Sequence, residues 1–334
     1  MLHRNMPAFE ATPLALMPPR LRWREGIGAA VRILPVILLA AFCRPASAEA
    51  APLPVTEVAP GIYVHEGRQE DASRANRGDI ANCGFVIGGK GVAVIDSGGS
   101  PAVGQALLEA LRARTALPVL YVINTHMHPD HILGNVAFAG DGVQFVGHAH
   151  LPAALATHGV YYRKAASAII DAPPDSIQII GPTVTVADDM VLDLGDRKLR
   201  LHAWPTAHTD NDLTVYDERT ATLWAGDLLF RRRIPALDGS LKGWLKVCDD
   251  IAGLTARQVV PGHGPVSRSW PQAIDDERRY LRILAADIRA ALAARQPIET
   301  AVQKAAGSER GRWLLFDAYN RRNATAAYTE LEWE

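Results

Sequence analysis

The stretch Thr125-His126-Met127-His128-Pro129-Asp130-His131 directly follows the apolar run Val119 to Asn124. A short apolar run of this kind reads as a buried strand, and a loop at a strand end can aim several side chains at one point. Three imidazoles and one carboxylate within the six residues from His126 to His131 are more than core packing explains, since a structural histidine is usually single. Neutral imidazole with carboxylate suits borderline divalent ions, zinc first, and iron and manganese accept the same ligands.

Working outward, the same step recurs. The apolar run Gly91 to Ile95 ends at Asp96-Ser97-Gly98-Gly99 and leads into helical spacing from Ala102 to Leu111. Downstream, Ala207-His208-Thr209 follows the run ending at Trp204, Ala225-Gly226-Asp227 follows Thr222-Leu223-Trp224, and Pro261-Gly262-His263-Gly264 follows Gln258 to Val260. Further strand-like runs lie at Gly61 to Val64, Cys83 to Ile87, Gln144 to Val146 and Leu213 to Tyr216. Strands alternating with helices, most ending at a polar cluster, predict an α/β fold with sheets covered by helices, an αββα sandwich with its chemistry at the strand ends. Beyond Trp270 the periodicity turns helical through Arg295 and again from Glu309 to Ala327, with Pro297 between, which predicts a C-terminal helical extension packed on the core.

The chain has 334 residues, 48% of them hydrophobic, enough for one large catalytic domain. A formal net charge of −1 without any block of like charges argues against a nucleic-acid partner. Arg20, Arg22, Arg24 and Arg32 precede the apolar run Ile33 to Phe42, and Ala46-Ser47-Ala48 offers a small-x-small cleavage pattern. Residues 1–48 therefore read as a signal peptide, residues 49–270 as the catalytic domain and residues 271–334 as the helical extension. The apolar run is about half the ~20 residues a spanning helix needs, so the mature form is expected to lack a stable membrane span and to be periplasmic. Cys83 and Cys248 read as two separate buried thiols, a disulfide being the alternative.

Taken together, Asp96, the His126-x-His128-x-Asp130-His131 run, His208, Asp227 and His263 stand in the order of the metallo-β-lactamase superfamily, which the chain resembles from about Val55 to Trp270. The resemblance implies the metallo-β-lactamase sandwich fold and a dinuclear zinc hydrolase with two Zn²⁺. His126, His128 and His208 then hold the first metal, Asp130, His131 and His263 the second, and Asp227 bridges with a hydroxide. Asp130 and Asp227 are the two carboxylates at the reacting centre, and their place among imidazoles favours ligation over acid–base work. Asp96 is implied to orient a ligand histidine, a turn-stabilising aspartate being the alternative. His65, His148, His150, His158 and His202 match no family ligand and read as structural.

A more local similarity, to the periplasmic zinc metallohydrolases of quinoprotein relay systems in the sulfur-oxidation-related branch, rests on Gly78 to Asn82, Ala203 to Asp212 and Pro235 to Trp244. It implies a small-molecule substrate, an ester, thioester, lactone or related acyl compound, and association with a periplasmic quinoprotein or cytochrome system. Three other readings stay open: a β-lactamase-like hydrolase, a mononuclear iron persulfide dioxygenase, and a metal-binding accessory protein of a redox relay. The loop Gly67 to Asn82 is a candidate lid, Trp244 and Tyr161 or Tyr162 are candidate pocket walls, and Arg74, Arg77 and Arg231 are candidate anion contacts.

Overall fold

The computed structural model describes residues 51–334, so the signal peptide read over residues 1–48 lies outside them. The chain runs β1 (Thr56–Ala59), β2 (Ile62–His65), β3 (Cys83–Ile87), β4 (Val92–Ile95), α1 (Pro101–Arg112), β5 (Val119–Ile123), α2 (Pro129–Ile132), β6 (Gln144–His148), α3 (Leu151–Ile170), β7 (Val184–Val186) and β8 (Asp189–Asp193). It continues through β9 (Lys198–Ala203), β10 (Leu213–Asp217), β11 (Thr222–Phe230), α4 (Leu241–Ala252), β12 (Gln258–His263), α5 (Asp275–Ala293), α6 (Ile298–Lys304) and α7 (Phe316–Leu331). One sheet has the order β1-β2-β3-β4-β5-β6-β7 and the other β12-β11-β10-β9-β8.

Alternation along the strands assigns the layers. Ile62, Val64, Ala93 and Ile95 of the first sheet meet Leu199, Leu201, Val215 and Trp224 of the second in a shared core. The other face of the first sheet, through Phe85 and Val94, packs on Leu107 and Leu111 of α1. The outer face of the second sheet packs on α4, α5, α6 and α7 around Trp244, Tyr280 and Phe316. Such two-faced burial gives near-continuous hydrophobic strands, as in β4, where every residue is buried. The result is the αββα sandwich with C-terminal helices that the sequence predicts.

The expected strands coincide with β2 to β6 and β9 to β12, whereas the sequence gives no sign of β1, β7, β8, α2, α3, α4 or α6. The helix expected over Glu309 to Ala327 divides into a 3₁₀ turn at Gly307–Arg312 and α7, because Leu315 sits in the left-handed region at φ 60° and stops the turn from propagating. Cys83 and Cys248 are buried free thiols lying in different cores. Among the described residues no helix is long and apolar enough to cross a membrane.

Candidate metal centre

The seven candidate ligands converge: His126 and His128 follow β5, Asp130 and His131 sit on α2, His208 lies between β9 and β10, Asp227 lies within β11, and His263 ends β12. His126, His128, His208 and Asp227 present ligand atoms within 4.8 Å of one another, and so do Asp130, His131 and His263. Asp227 stands between the groups: Oδ2 lies 3.4 Å from His208 Nε2 and 3.3 Å from His263 Nε2, while Oδ1 lies 3.2 Å from His131 Nε2. Two irregularities in the β11–β12 pairing, on either side of Gly226, re-aim the chain there, and Gly226 takes a positive φ of 53°. Gly262 on β12 lets Asp227 come close, for a Cβ at Gly262 would fall 1.8 Å from Asp227 Oδ1.

Each of the five histidines is anchored through its outward nitrogen. His131 Nδ1 is 2.8 Å from Asp96 Oδ2, His128 Nε2 is 2.8 Å from Asp238 Oδ2, and His208 Nδ1 is 2.6 Å from the carbonyl of Ala236. His263 Nδ1 is 2.8 Å from the carbonyl of Ile80. His126 Nδ1 is 3.0 Å from Thr125 Oγ1, whose hydroxyl proton is committed to Asp96 Oδ2 at 2.8 Å. Carboxylates and carbonyls only accept, so the outward nitrogens donate, and in the neutral imidazoles the inward ones carry lone pairs. His128 Nδ1 then faces His126 Nε2 at 3.1 Å and His208 Nε2 at 3.0 Å, three acceptors turned on one another. His131 Nε2 and Asp227 Oδ1 are buried without any hydrogen-bond partner. Converging lone pairs and orphaned buried acceptors fit divalent cations, and the N/O donor set fits zinc.

The electrostatics follow from burial and charge. Burial holds His126 well below the usual histidine value and His208 at about 4, against the pull of Asp227. Burial also opposes charge on Asp130 and Asp227, but the surrounding imidazoles outweigh it and hold both carboxyls well below their ordinary range. For His131, burial is overcome by Asp227, Asp96 and Asp130, which raise it. The site is therefore an anionic cradle lined with imidazole.

Asn82 donates to the carbonyls of Pro261 and Gly264, both at 2.8 Å, and so clamps the turn that carries His263. Asp96, at φ 52°, serves His131, Thr125 N–H and the Thr125 hydroxyl together. His148 and His150 lie outside both ligand groups, His148 Nδ1 accepting from the backbone N–H of His150. His65 pairs with Asp79 at 2.6 Å and His202 with Asp189 at 2.9 Å, and His158 stacks on Tyr162.

A cavity of about 480 Å³ opens on His128, Asp130, Asp227 and His263. Tyr161, Tyr162, Ala165, Ala166 and Ile169 of α3 line it, with Gly78 and Ile80 from the loop Gly67 to Asn82. Trp244 does not; it is fully buried and packs edge-on against His208, with ring centroids 5.1 Å apart, behind the ligand. Arg74, Arg77 and Arg231 are also absent from this lining, and Arg74 pairs with Asp171 at the surface. The arginines that do line it are Arg233 and Arg322, with Tyr319, all missed from sequence. Arg322 and Tyr319 sit in a helix read as mere packing, and nothing local in the sequence points them at the site.

Comparison with known proteins agrees with this geometry. A sequence profile of the metallo-beta-lactamase superfamily matches residues 76–263, a span that includes all seven ligands. The acyl-coenzyme A thioesterase MBLAC2 of Bos taurus is 27% identical over 218 residues, 56% of this chain and 74% of the relative. The metallo-beta-lactamase from Pontibacter korlensis superposes with a TM-score of 0.55 at 21% identity, covering 68% of this chain and 99% of its own. The sec-alkylsulfatase Pisa1 from Pseudomonas sp. gives a TM-score of 0.65 at 14% identity over 84% of this chain and 50% of its own. With strand ends, ligand groups and profile in register, the chain belongs to the metallo-beta-lactamase superfamily and is a metal-dependent hydrolase.

Proposed function

We propose that this protein is a dinuclear zinc hydrolase of acyl substrates, a thioester foremost, that acts in the periplasm alongside a quinoprotein or cytochrome oxidation system. The observation that carries the hydrolase reading is the cradle itself: His126, His128 and His208 for one ion, Asp130, His131 and His263 for the other, and Asp227 between them. Divalent ions held by these residues would supply Lewis acidity and an acidified water, whose pKa would fall from near 16 to roughly 7. Asp227 and Asp130 stay ionised at neutral pH and hold that charge in place.

The acyl preference rests on the thioesterase relatives and on the cavity. Tyr162 keeps its proton at neutral pH, since burial first and then the charges of Asp238 and Asp130 raise its pKa. The α3 wall offers apolar area for an acyl chain. Arg233 is buried, and its nearest carboxylate, Asp71, is 4.0 Å away and half-exposed. A buried cation this loosely neutralised favours a substrate that brings its own anionic group into the cavity.

Export and the oxidation-system context come from the signal-like segment and the local resemblance. Of the three stretches carrying that resemblance, Gly78 to Asn82 reaches His263 through the Ile80 carbonyl, Ala203 to Asp212 contains His208 itself, and Pro235 to Trp244 reaches His208 and His128 through Ala236 and Asp238. The test is release of free thiol from a panel of carboxyacyl and alkyl thioesters by the zinc-loaded chain, with the protein located by periplasmic fractionation. Thiol release and recovery in the periplasmic fraction support the reading. Oxygen consumption with persulfide on a single iron would overturn it.

A further inference from the structure

Helix α7 grips one short segment of chain. Asn323, fully buried, accepts from the backbone N–H of Leu237 at 3.0 Å and donates to the carbonyl of Pro235 at 2.7 Å. It thereby fixes the peptides on either side of Ala236, whose carbonyl orients His208. One residue earlier, Arg322 donates to Asp238 Oδ1, and Asp238 Oδ2 orients His128. Glu330, two turns on, accepts from Ser240 Oγ at 2.7 Å and from the backbone N–H of Leu241 at 2.6 Å, so the same helix continues the grip into the start of α4.

The consequence is specific to one ligand group. His128 and His208 are both set by the segment Ala236 to Asp238, and that segment is held from outside by Arg322 and Asn323. His131 and His263 take their orientation from Asp96 and Ile80, outside this segment. Partners of this kind commonly change metal affinity by about 10- to 100-fold when removed.

We propose that α7 is a positioning element of the first metal group, with Arg322 and Asn323 acting through Asp238 and the Ala236 carbonyl to hold His128 and His208. This rests on the dinuclear reading above. By thermodynamic linkage, any loosening of α7 from the segment lowers metal affinity at that group, and metal at that group tightens the helix.

The test is zinc titration of the full chain against a chromophoric chelator, for wild type, Arg322→Met, Asn323→Ala and Tyr328→Phe. Tyr328 serves as the structural control, because its hydroxyl joins α7 to the carbonyl of Gln296, away from the site. Arg322→Met and Asn323→Ala are expected to weaken one of two zinc-binding steps by about tenfold or more and leave the other unchanged. Tyr328→Phe is expected to leave both steps unchanged. Arg322 is more than half exposed, so Arg322→Met keeps the test alive should Asn323→Ala fail to fold. Wild-type affinity at both steps in Arg322→Met, or equal weakening in Tyr328→Phe, would overturn the proposal. A wild-type chain that binds no zinc would instead sink the dinuclear reading on which it stands.

Discussion

Asp96 Oδ2 lies 2.8 Å from Nδ1 of His131, and the same carboxylate takes both the N–H and the hydroxyl of Thr125. Asp96 thus sets one ligand directly and, through Thr125, a second, His126. Asp96→Ala is expected to lower zinc affinity by about 10- to 100-fold while the ligands themselves remain. Chelator competition measures this directly, and an affinity within twofold of wild type would mean that Asp96 only stabilises its turn.

Gly262 has no room for a methyl group, because its Cβ would overlap Asp227 Oδ1 and crowd Asp227 N at 2.8 Å. Gly262→Ala is expected to displace Asp227, abolish tight metal binding and remove hydrolysis. Gly311→Ala, where nothing lies within 4 Å, is expected to change neither. Zinc content after dialysis compares the two variants.

Glu277 on α5 is fully buried, accepts from the backbone N–H of Phe230 at 2.5 Å, and is held by burial well above the usual carboxyl range. In the folded state it keeps its proton where the unfolded chain has lost it. Its contribution is complete below the unfolded value near 4.5 and falls as pH rises above it. Glu277→Gln removes that loss, so its melting temperature relative to wild type should rise as pH increases above about 4.5. A difference independent of pH would show that Glu277 ionises as easily folded as unfolded.

Arg233 is buried beside the cavity, where its polar neighbours are the Tyr319 hydroxyl, the carbonyl of Glu70, Nδ1 of His263 at 3.5 Å and the distant Asp71. Arg233→Met is expected to raise KM for a carboxyacyl thioester by about 10- to 100-fold, the worth of a charge-assisted hydrogen bond at 1.5–3 kcal/mol. KM for a neutral alkyl thioester should change little. Equal losses on both substrates would assign Arg233 to structure alone.

That the seven candidate ligands gather in space was legible in the sequence because each follows a short apolar run, and the strands those runs form are buried on both faces. Pairing order within the sheets was not, since periodicity carries no information about neighbours. Helix α3 went unread because its twenty residues bury only Leu151, Ala154, Gly159, Tyr162 and Ala166, too sparse a stripe to stand out. The pocket arginines were misplaced for a tertiary reason. Arg74, Arg77 and Arg231 are close in sequence to loops near the site, yet Arg233 and Arg322 reach the cavity, one just past β11 and the other from a helix almost a hundred residues beyond Asp227. The grip of Asn323 on residues 235–237 is likewise invisible without the fold.

The most direct test of the central claim is the metal content of the chain purified without added metal, beside Asp227→Ala. The account predicts close to two zinc ions per wild-type chain and a clear reduction in the variant, because Asp227 contacts both ligand groups. One iron per chain, or zinc content unaffected by loss of Asp227, would contradict it.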